Sequence, residues 1–479
     1  MFNFQNSYIQ LPKDFFSETF PTPVSKPQLV VFNKELSEAL SLSKKDFNES
    51  DLASFFSGNQ LLKNSQPIAQ AYSGHQFGYF TMLGDGRAHL LGEHVNPSGK
   101  RFDIQLKGSG PTPYSRGGDG RATLKSMLRE YLISEAMYYL NIPTSRSLAV
   151  VKSGELVKRD PVQPGAILTR VMQSHIRVGT FEYAKRFLDN EKLKQLIDYS
   201  IERHYPMLKE LNYPGLPLLE KVMLKQIDLV VDWMRVGFIH GVMNTDNMSI
   251  AGETFDYGPC AFMNTYNPST VFSSIDSNGR YAFGNQPNIA QWNMSVFAAA
   301  LLPFMGENED KAVEQAKAIL NSFGAEFSRK WNKMMARKIG FNSPSNITNE
   351  LCVELLKWME KKEMDYTQTF YFLTYQDLEG EEFKDQVFIK WKQKWKTALK
   401  EQSIDFTKAQ EIMKQFNPTF IPRNHIVEEV LNDAEKGNLQ PLNSFLDVLK
   451  KPFINKKDNP KYFDFPEGFD QGYSTYCGT

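Results

Sequence analysis

The sequence predicts an α+β chain of two lobes, a small strand-bearing lobe followed by a large helical one. Three observations carry this expectation. Ala88 to Val95 and Phe102 to Lys107 read as strands around the turn signal Asn96-Pro97-Ser98-Gly99, which makes a hairpin. Residues 122 to 140 then place Leu124, Leu128, Tyr131, Leu132 and Tyr139 near one helical face, closed by Asn141-Ile142-Pro143. From about residue 185 onward the periodicity is almost entirely helical.

Taken in order, residues 1 to 65 mix proline-rich turns with a short amphipathic stretch at Glu35 to Ala39, and residues 71 to 110 read as strands and tight turns. After the helix come three short strands, Ser147 to Val151, Glu155 to Lys158 and Ala166 to Val171. Helices are expected over Leu193 to Leu211 and Val222 to Val236, the second ending at Gly237. Met248 to Ile250 and Thr254 to Phe255 are expected as two short strands around a Gly252 turn. Residues 291 to 470 read as helices that supply the bulk of the large lobe. The expected division is residues 1–175 and 176–479.

Composition removes several classes of function. Lysine plus arginine equals aspartate plus glutamate, 55 each, so no net field draws the chain to nucleic acid or membrane. No uncharged apolar run is long enough to span a bilayer. Met1 to Leu11 has neither the basic and apolar regions of a secretory leader nor the arginine-rich pattern of a transit peptide. Cys260, Cys352 and Cys477 form no disulfide framework and no metal-ligand spacing. A cytoplasmic monomer is expected.

The most informative stretch is His240-Gly241-Val242-Met243-Asn244-Thr245-Asp246-Asn247, followed by Phe255-Asp256-Tyr257-Gly258. It resembles the metal-holding half of a protein-kinase site, H-R-D-x-x-x-x-N and then D-F-G. Asn247 and Asp256 fall where the metal ligands belong, and oxygen donors suit magnesium or manganese. The position of the kinase base is Val242, which takes no proton. Asp246 is the nearby carboxylate that could replace it, or could orient the loop instead. His240 is expected to support the loop by hydrogen bonding, and His75 to sit in a structural turn.

Basic and glycine-rich segments precede this loop. Gly84-Asp85-Gly86-Arg87 lets backbone N–H groups and one guanidinium approach a phosphate, although such a turn is often only a turn. Lys107 closes a strand as the phosphate-pairing kinase lysine does, with Glu130 as partner and Glu135 as competitor on the same helix. Ser115 to Arg121, with Asp119 and Gly120, is a second glycine-rich loop, expected at the helix N-terminus where anions bind. Arg170 and Arg177 add more positive charge than a kinase nucleotide needs, which points to a differently placed triphosphate.

Together, Ser73-Gly74-His75-Gln76-Phe77-Gly78, Leu83 to Arg87, Leu106-Lys107-Gly108, Pro113 to Arg116, Gly118 to Arg121, His240 to Met248 and Asp256 to Pro259 resemble the selenoprotein O family. The similarity is densest from about residue 65 to 300 and continues through Asn417-Pro418 and Ile421-Pro422-Arg423-Asn424. It implies an atypical protein-kinase-like two-lobed fold with an extended helical C-terminal lobe. It also implies an adenylyltransferase with ATP reversed relative to kinases, moving AMP to Ser, Thr or Tyr hydroxyls of protein substrates with release of pyrophosphate. By the same resemblance Gly84, Gly86, Arg87, Lys107, Asp119, Gly120, Arg170, Arg177 and Asp256 contact ATP and Glu130 pairs with Lys107. Asn247 and Asp256 bind Mg2+ (or Mn2+), and Asp246 is the proton acceptor. Some relatives end in a redox motif; here Tyr476-Cys477-Gly478-Thr479 holds one thiol, with Cys260 as a candidate partner. The competing readings are a kinase using Asp246 as base, UMP transfer from UTP, and a non-catalytic nucleotide-binding scaffold.

Overall fold

The structure is a computed structural model that describes residues 2–42 and 48–476. Its first part alternates strands Phe16–Glu18 (β1), Gln28–Phe32 (β2), Ile68–Gln70 (β3), Ser73–Gln76 (β4), Tyr79–Met82 (β5), Ala88–Val95 (β6), Arg101–Lys107 (β7), Ala122–Thr123 (β8), Arg146–Val157 (β9) and Gln163–Met172 (β10) with helices Lys34–Ala39 (α1), Glu49–Ser57 (α2) and Leu124–Tyr139 (α3). Helices then dominate: Val178–Phe187 (α4), Asn190–His204 (α5), Gly215–Arg235 (α6) and Gln286–Leu301 (α7), with Phe238–Ile239 (β11) and Ala261–Phe262 (β12) paired between the last two. The remainder is Glu309–Lys338 (α8), Asn346–Lys361 (α9), Tyr366–Tyr375 (α10), Gln386–Glu401 (α11), Phe406–Phe416 (α12), Asn424–Glu435 (α13), Gln440–Leu449 (α14) and the short Phe469–Gly472 (α15). This is the α+β organisation the sequence predicts, a strand-bearing part followed by a helical one. No helix among the described residues is long and apolar enough to cross a membrane.

The main sheet runs β1-β3-β6-β7-β10-β9-β2, antiparallel throughout, with β8 added to β10. One face buries Ile104, Leu106, Leu148 and Ile167 against Leu36, Phe55 and Phe56 of α1 and α2. The other packs Leu90, Val150 and Leu168 against Leu124, Leu128 and Leu132 of α3. Because strand side chains alternate, Arg101, Asp103, Gln105 and Lys107 share one face of β7. Helix α3 starts where Thr123 Oγ accepts the Ser126 N–H at 3.3 Å, and stops where Asn141 turns to φ +60.

Several expectations need correction. Ser147 to Val151 and Glu155 to Lys158 are one strand, β9, because Gly154 at φ +77 and a register shift opposite β10 carry the chain through without a break. The mainly helical part of the chain begins at Val178, ahead of residue 185. Helix α5 ends at His204 because Pro206 cannot continue it. Met248 to Ile250 and Thr254 to Phe255 do not form a hairpin. Ser249 bridges Arg177 and Thr254 bridges Thr144, so distant partners take both edges, and Gly252 N–H closes a tight turn onto Ser249 O at 3.1 Å. The C-terminal helices are more than large-lobe bulk, since α13 and α14 pack on α3. Lys125 Nζ reaches Asn432 at 2.7 Å and Arg129 reaches Glu428 at 3.3 Å.

Between β10 and α4, the Gln173 N–H and side-chain amide both donate to Glu253 at 2.9 Å. Burial pushes the Glu253 carboxyl up to about 7, against the two Gln173 hydrogen bonds. A carboxyl raised in the folded state binds its proton more tightly there than in the unfolded chain. Its contribution is therefore favourable at low pH and is lost as pH rises from the unfolded value, about 4.3, through the folded one. Wild type should lose stability relative to Glu253→Gln between pH 5 and 8, by on the order of 2–3 kcal/mol in urea unfolding. Parallel curves for the two proteins would show that Glu253 is not held protonated.

Candidate active site

Strand register builds the centre of the site. Gln105 stands opposite Arg170 on β10, and Lys107 lies two residues further along the same face of β7. Lys107 Nζ is 2.7 Å from Glu130 Oε2, and Arg170 Nε and Nη2 reach Glu130 Oε1 at 2.8 and 2.5 Å. Asp256 closes the cluster. Its Oδ1 is in contact with Lys107 Nζ and lies 3.3 Å from Arg170 Nη2. Two cations and two carboxylates thus interlock on elements from both parts of the chain. Glu135 turns instead to Arg146, at 2.7 and 2.6 Å.

Burial works against the Asp256 charge, but Lys107, Arg170 and Arg87 hold its carboxyl well below the usual range. Its side chain is 35% exposed and its backbone sits at φ +65, a conformation open to Asp and Asn more than to most residues. Asn247 donates its amide to Val242 O at 3.0 Å, which leaves the amide oxygen as the donor atom for a cation. Among the described residues no group of three or more His, Cys, Asp or Glu converges on a metal position. The Asn247 amide oxygen and the Asp256 carboxylate are donors of the kind a hard divalent cation takes, with phosphates and water supplying the remainder.

Asp246 follows Thr245 in a 3-10 turn, Thr245–Asn247, and is 8% exposed. Its Oδ1 is buried with no hydrogen-bond partner. Burial pushes its carboxyl up to about 7, opposed by Arg177 and reinforced by Asp256 and Glu182. Val242, at the kinase base position, is buried and inert. Arg177 stacks over Tyr72 at 4.0 Å and Phe255 at 5.0 Å and donates to Asp246 O at 3.1 Å. His240 Nε2 is 3.2 Å from Phe255 O and fastens residues 240–247 to residues 255–258.

The glycine-rich turn has a packing reason for its glycines. A Cβ on Gly84 would collide with the Tyr114 ring, and one on Gly86 would stand 2.9 Å from Tyr114 O. Loop 112–115 is tied to the turn by Thr112 Oγ to Asp85 O at 2.7 Å and by Ser115 Oγ to Gly86 O. The second glycine-rich loop is not at the N-terminus of α3, because β8 and the Thr123 cap intervene. Asp119 there accepts from Arg159 at 2.8 and 3.0 Å, and Gly120 O accepts from Gly110 N–H at 3.0 Å. Arg87, Lys107, Glu130 and Arg159 border one cavity of about 740 Å³. Arg170 and Arg177 are buried and are not among its walls.

Residue-level reading missed Asp85, Gln105, Glu182 and Thr245. Asp85 accepts from Gln70 N–H at 3.1 Å and from the Gln105 amide at 3.3 Å, with Arg177 Nη2 at 3.7 Å. Its place inside the glycine turn was the available signal. His75 is on strand β4 and not in a turn; its Nδ1 lies 2.5 Å from Glu182. Cys260 is buried, and burial pushes its thiol up to about 11. Cys477 lies outside the described residues.

A family model described as "Protein adenylyltransferase SelO" matches residues 1–450. The chain belongs to the SelO family. Proteins named "Protein nucleotidyltransferase YdiU" match along their whole length. That of Geobacillus kaustophilus is 50% identical over 99% of each chain. That of Anoxybacillus flavithermus is 52% identical over 100% of this chain and 99% of its own, and that of Nitrosococcus oceani 51% identical over 100% and 97%. Among solved structures, a Toxoplasma gondii rhoptry antigen kinase domain aligns over 53% of this SelO chain and 87% of its own. It does so at 13% identity and a TM-score of 0.24, a superposition too loose to argue from.

Proposed function

We propose that this chain transfers AMP from ATP to Ser, Thr or Tyr hydroxyls of proteins and releases pyrophosphate. Nucleotidyl transfer to protein is the activity for which the family's relatives are named. The observation that carries the finer reading is the pairing of an inert Val242 with a buried carboxyl at Asp246 whose Oδ1 has no hydrogen-bond partner, in a region that also gathers the cations Lys107, Arg170 and Arg177. Charge of that density suits the β- and γ-phosphates, with the α-phosphorus toward Asp246.

In this reading the nucleotide lies between residues 1–175 and 176–479. Lys107, Arg170 and Arg177 bind phosphate oxygens, with Arg87, Gly84, Gly86, Asp119 and Gly120 around the rest of the nucleotide. Glu130 holds Lys107 and Arg170 in place. Asp246 accepts the proton as the substrate oxygen attacks the α-phosphorus and the bond to the bridging oxygen of the leaving pyrophosphate breaks. Magnesium or manganese, held by Asn247 and Asp256, would neutralise charge on the phosphates. We place the activity in the cytoplasm, in line with the cysteine usage, and assign it to a monomer.

The test is label transfer from ATP carrying label at the α- or at the γ-position. Protein labelled only from the α-position is expected; labelling from the γ-position would make this a kinase, and label from neither would leave the scaffold. UTP in the same assay decides between AMP and UMP. Arg177→Ala should raise the KM for ATP by about tenfold or more, the worth of a charge-assisted hydrogen bond to phosphate. An unchanged KM would remove Arg177 from the triphosphate site.

A further inference from the structure

Hairpin β4–β5 takes no part in the mechanism above, yet it is stitched to the loop that carries Asp246. His75 N–H donates to Thr245 Oγ at 2.8 Å, and Phe77 N–H to Asn244 Oδ1 at 3.3 Å. The Thr245 hydroxyl donates in turn to Glu182 Oε2 at 2.5 Å, and the other Glu182 oxygen faces His75 Nδ1. Glu182 is on α4, so three separate elements close a ring of hydrogen bonds around the residue before Asp246. The His75 ring is fixed edge-on between Phe80 at 5.5 Å and Trp292 at 5.3 Å.

Two glycines make the approach possible. A Cβ on Gly74 would collide with Asp246 Oδ1 and stand 2.9 Å from its Cγ. A Cβ on Gly179 would collide with Ser73 O and come 3.3 Å from Asp246 Cα. Neither glycine has a positive φ, so space and not backbone conformation requires them. The backbone of β4 therefore lies on the Asp246 carboxyl, while Arg177 holds the same residue from its peptide side at 3.1 Å.

We propose that His75 and Glu182 are positioning residues that hold hairpin β4–β5 against the Asp246 carboxyl and so fix where a substrate hydroxyl meets it. The inference rests on the reading of Asp246 as proton acceptor. Without Glu182 the Thr245 hydroxyl loses its acceptor and His75 its anchor. The hairpin then lifts, and Asp246 gains rotamers that do not face the acceptor. ATP binding does not depend on this ring, because its members are not among the phosphate-facing groups.

The experiment uses the full chain, α-labelled ATP and myelin basic protein as the probe acceptor. Glu182→Ala and His75→Ala should each lower kcat by about tenfold or more while the KM for ATP stays within about twofold, the pattern of a misplaced catalytic group. Glu182→Gln, whose amide oxygen still accepts from Thr245, should recover part of the loss. Hydrogen exchange should rise at residues 73–82 and 244–248 in Glu182→Ala and not in α3. Unchanged kcat in both alanine variants overturns the proposal, as does a kcat that falls only together with ATP affinity and melting temperature. If Glu182→Ala does not fold, His75→Ala, at a quarter-exposed side chain, decides alone. A wild type that labels nothing sinks the transfer reading itself; the exchange data then still report whether the ring holds hairpin to loop.

Discussion

Asp256→Asn should lower label transfer from α-labelled ATP by on the order of a thousandfold, the scale of several kcal/mol of lost charge stabilisation around the phosphates. Asn is the better probe than Ala because the backbone at this position sits at φ +65, which Asn tolerates and Ala resists. The substitution also alters the cluster itself. Asp256 shares Lys107 and Arg170 with Glu130, and its removal leaves two cations facing one carboxylate. The Asp256 carboxyl is depressed in the folded state, so its stabilising share is present above the unfolded pKa and lost only as pH falls through the low folded value. At pH 7 the Asn variant should accordingly fold less stably as well as turn over slowly. A direct ATP-binding measurement separates the two effects. Turnover equal to wild type would remove Asp256 from the reacting centre.

The largest loss of stability is expected at Arg423. Its guanidinium is 1% exposed and donates to Asp365 at 2.5 and 3.2 Å and to Asn264 Oδ1 at 2.6 Å. Asp365 also caps α10 by accepting the Gln368 N–H at 2.6 Å. Arg423→Met would leave that carboxylate buried beside an unpaired amide oxygen, at a cost of about 3–5 kcal/mol. The urea midpoint should fall by the corresponding amount, and Arg423→Met combined with Asp365→Asn should recover part of it, because the stranded charge is gone. A single variant as stable as wild type would mean that the buried pair does not hold α10 to the segment before α13.

What the sequence disclosed and what it hid divide along physical lines. The β6–β7 hairpin was legible because turn residues and flanking strand residues are neighbours in the chain. Helix α3 was legible from Leu124, Leu128 and Leu132. Glu182 was not legible: its partners His75 and Thr245 lie 107 and 63 positions away, and nothing in its own neighbourhood marks it. The continuity of β9 was hidden for a similar reason. Lys152 pairs with both Gln28 and Ala166, and those distant ladders hold straight what local residues suggest should break. The glycines of 84–87 were read for phosphate, while part of their cause, the approach of Tyr114, comes from a loop some thirty positions on.

The grip of α13 on α3 has a consequence for how the molecule is made. Lys125 and Arg129 are held by residues 307 and 299 positions further along the chain. During synthesis the sheet with Lys107 and Arg170 emerges early together with α3, which packs on it, but the side of α3 that α13 covers stays open until α13 has left the ribosome. Nascent chains should therefore carry Lys125 and Arg129 without Asn432 and Glu428 for most of their translation. The side chains that complete the setting of α3 are thus among the last to be made.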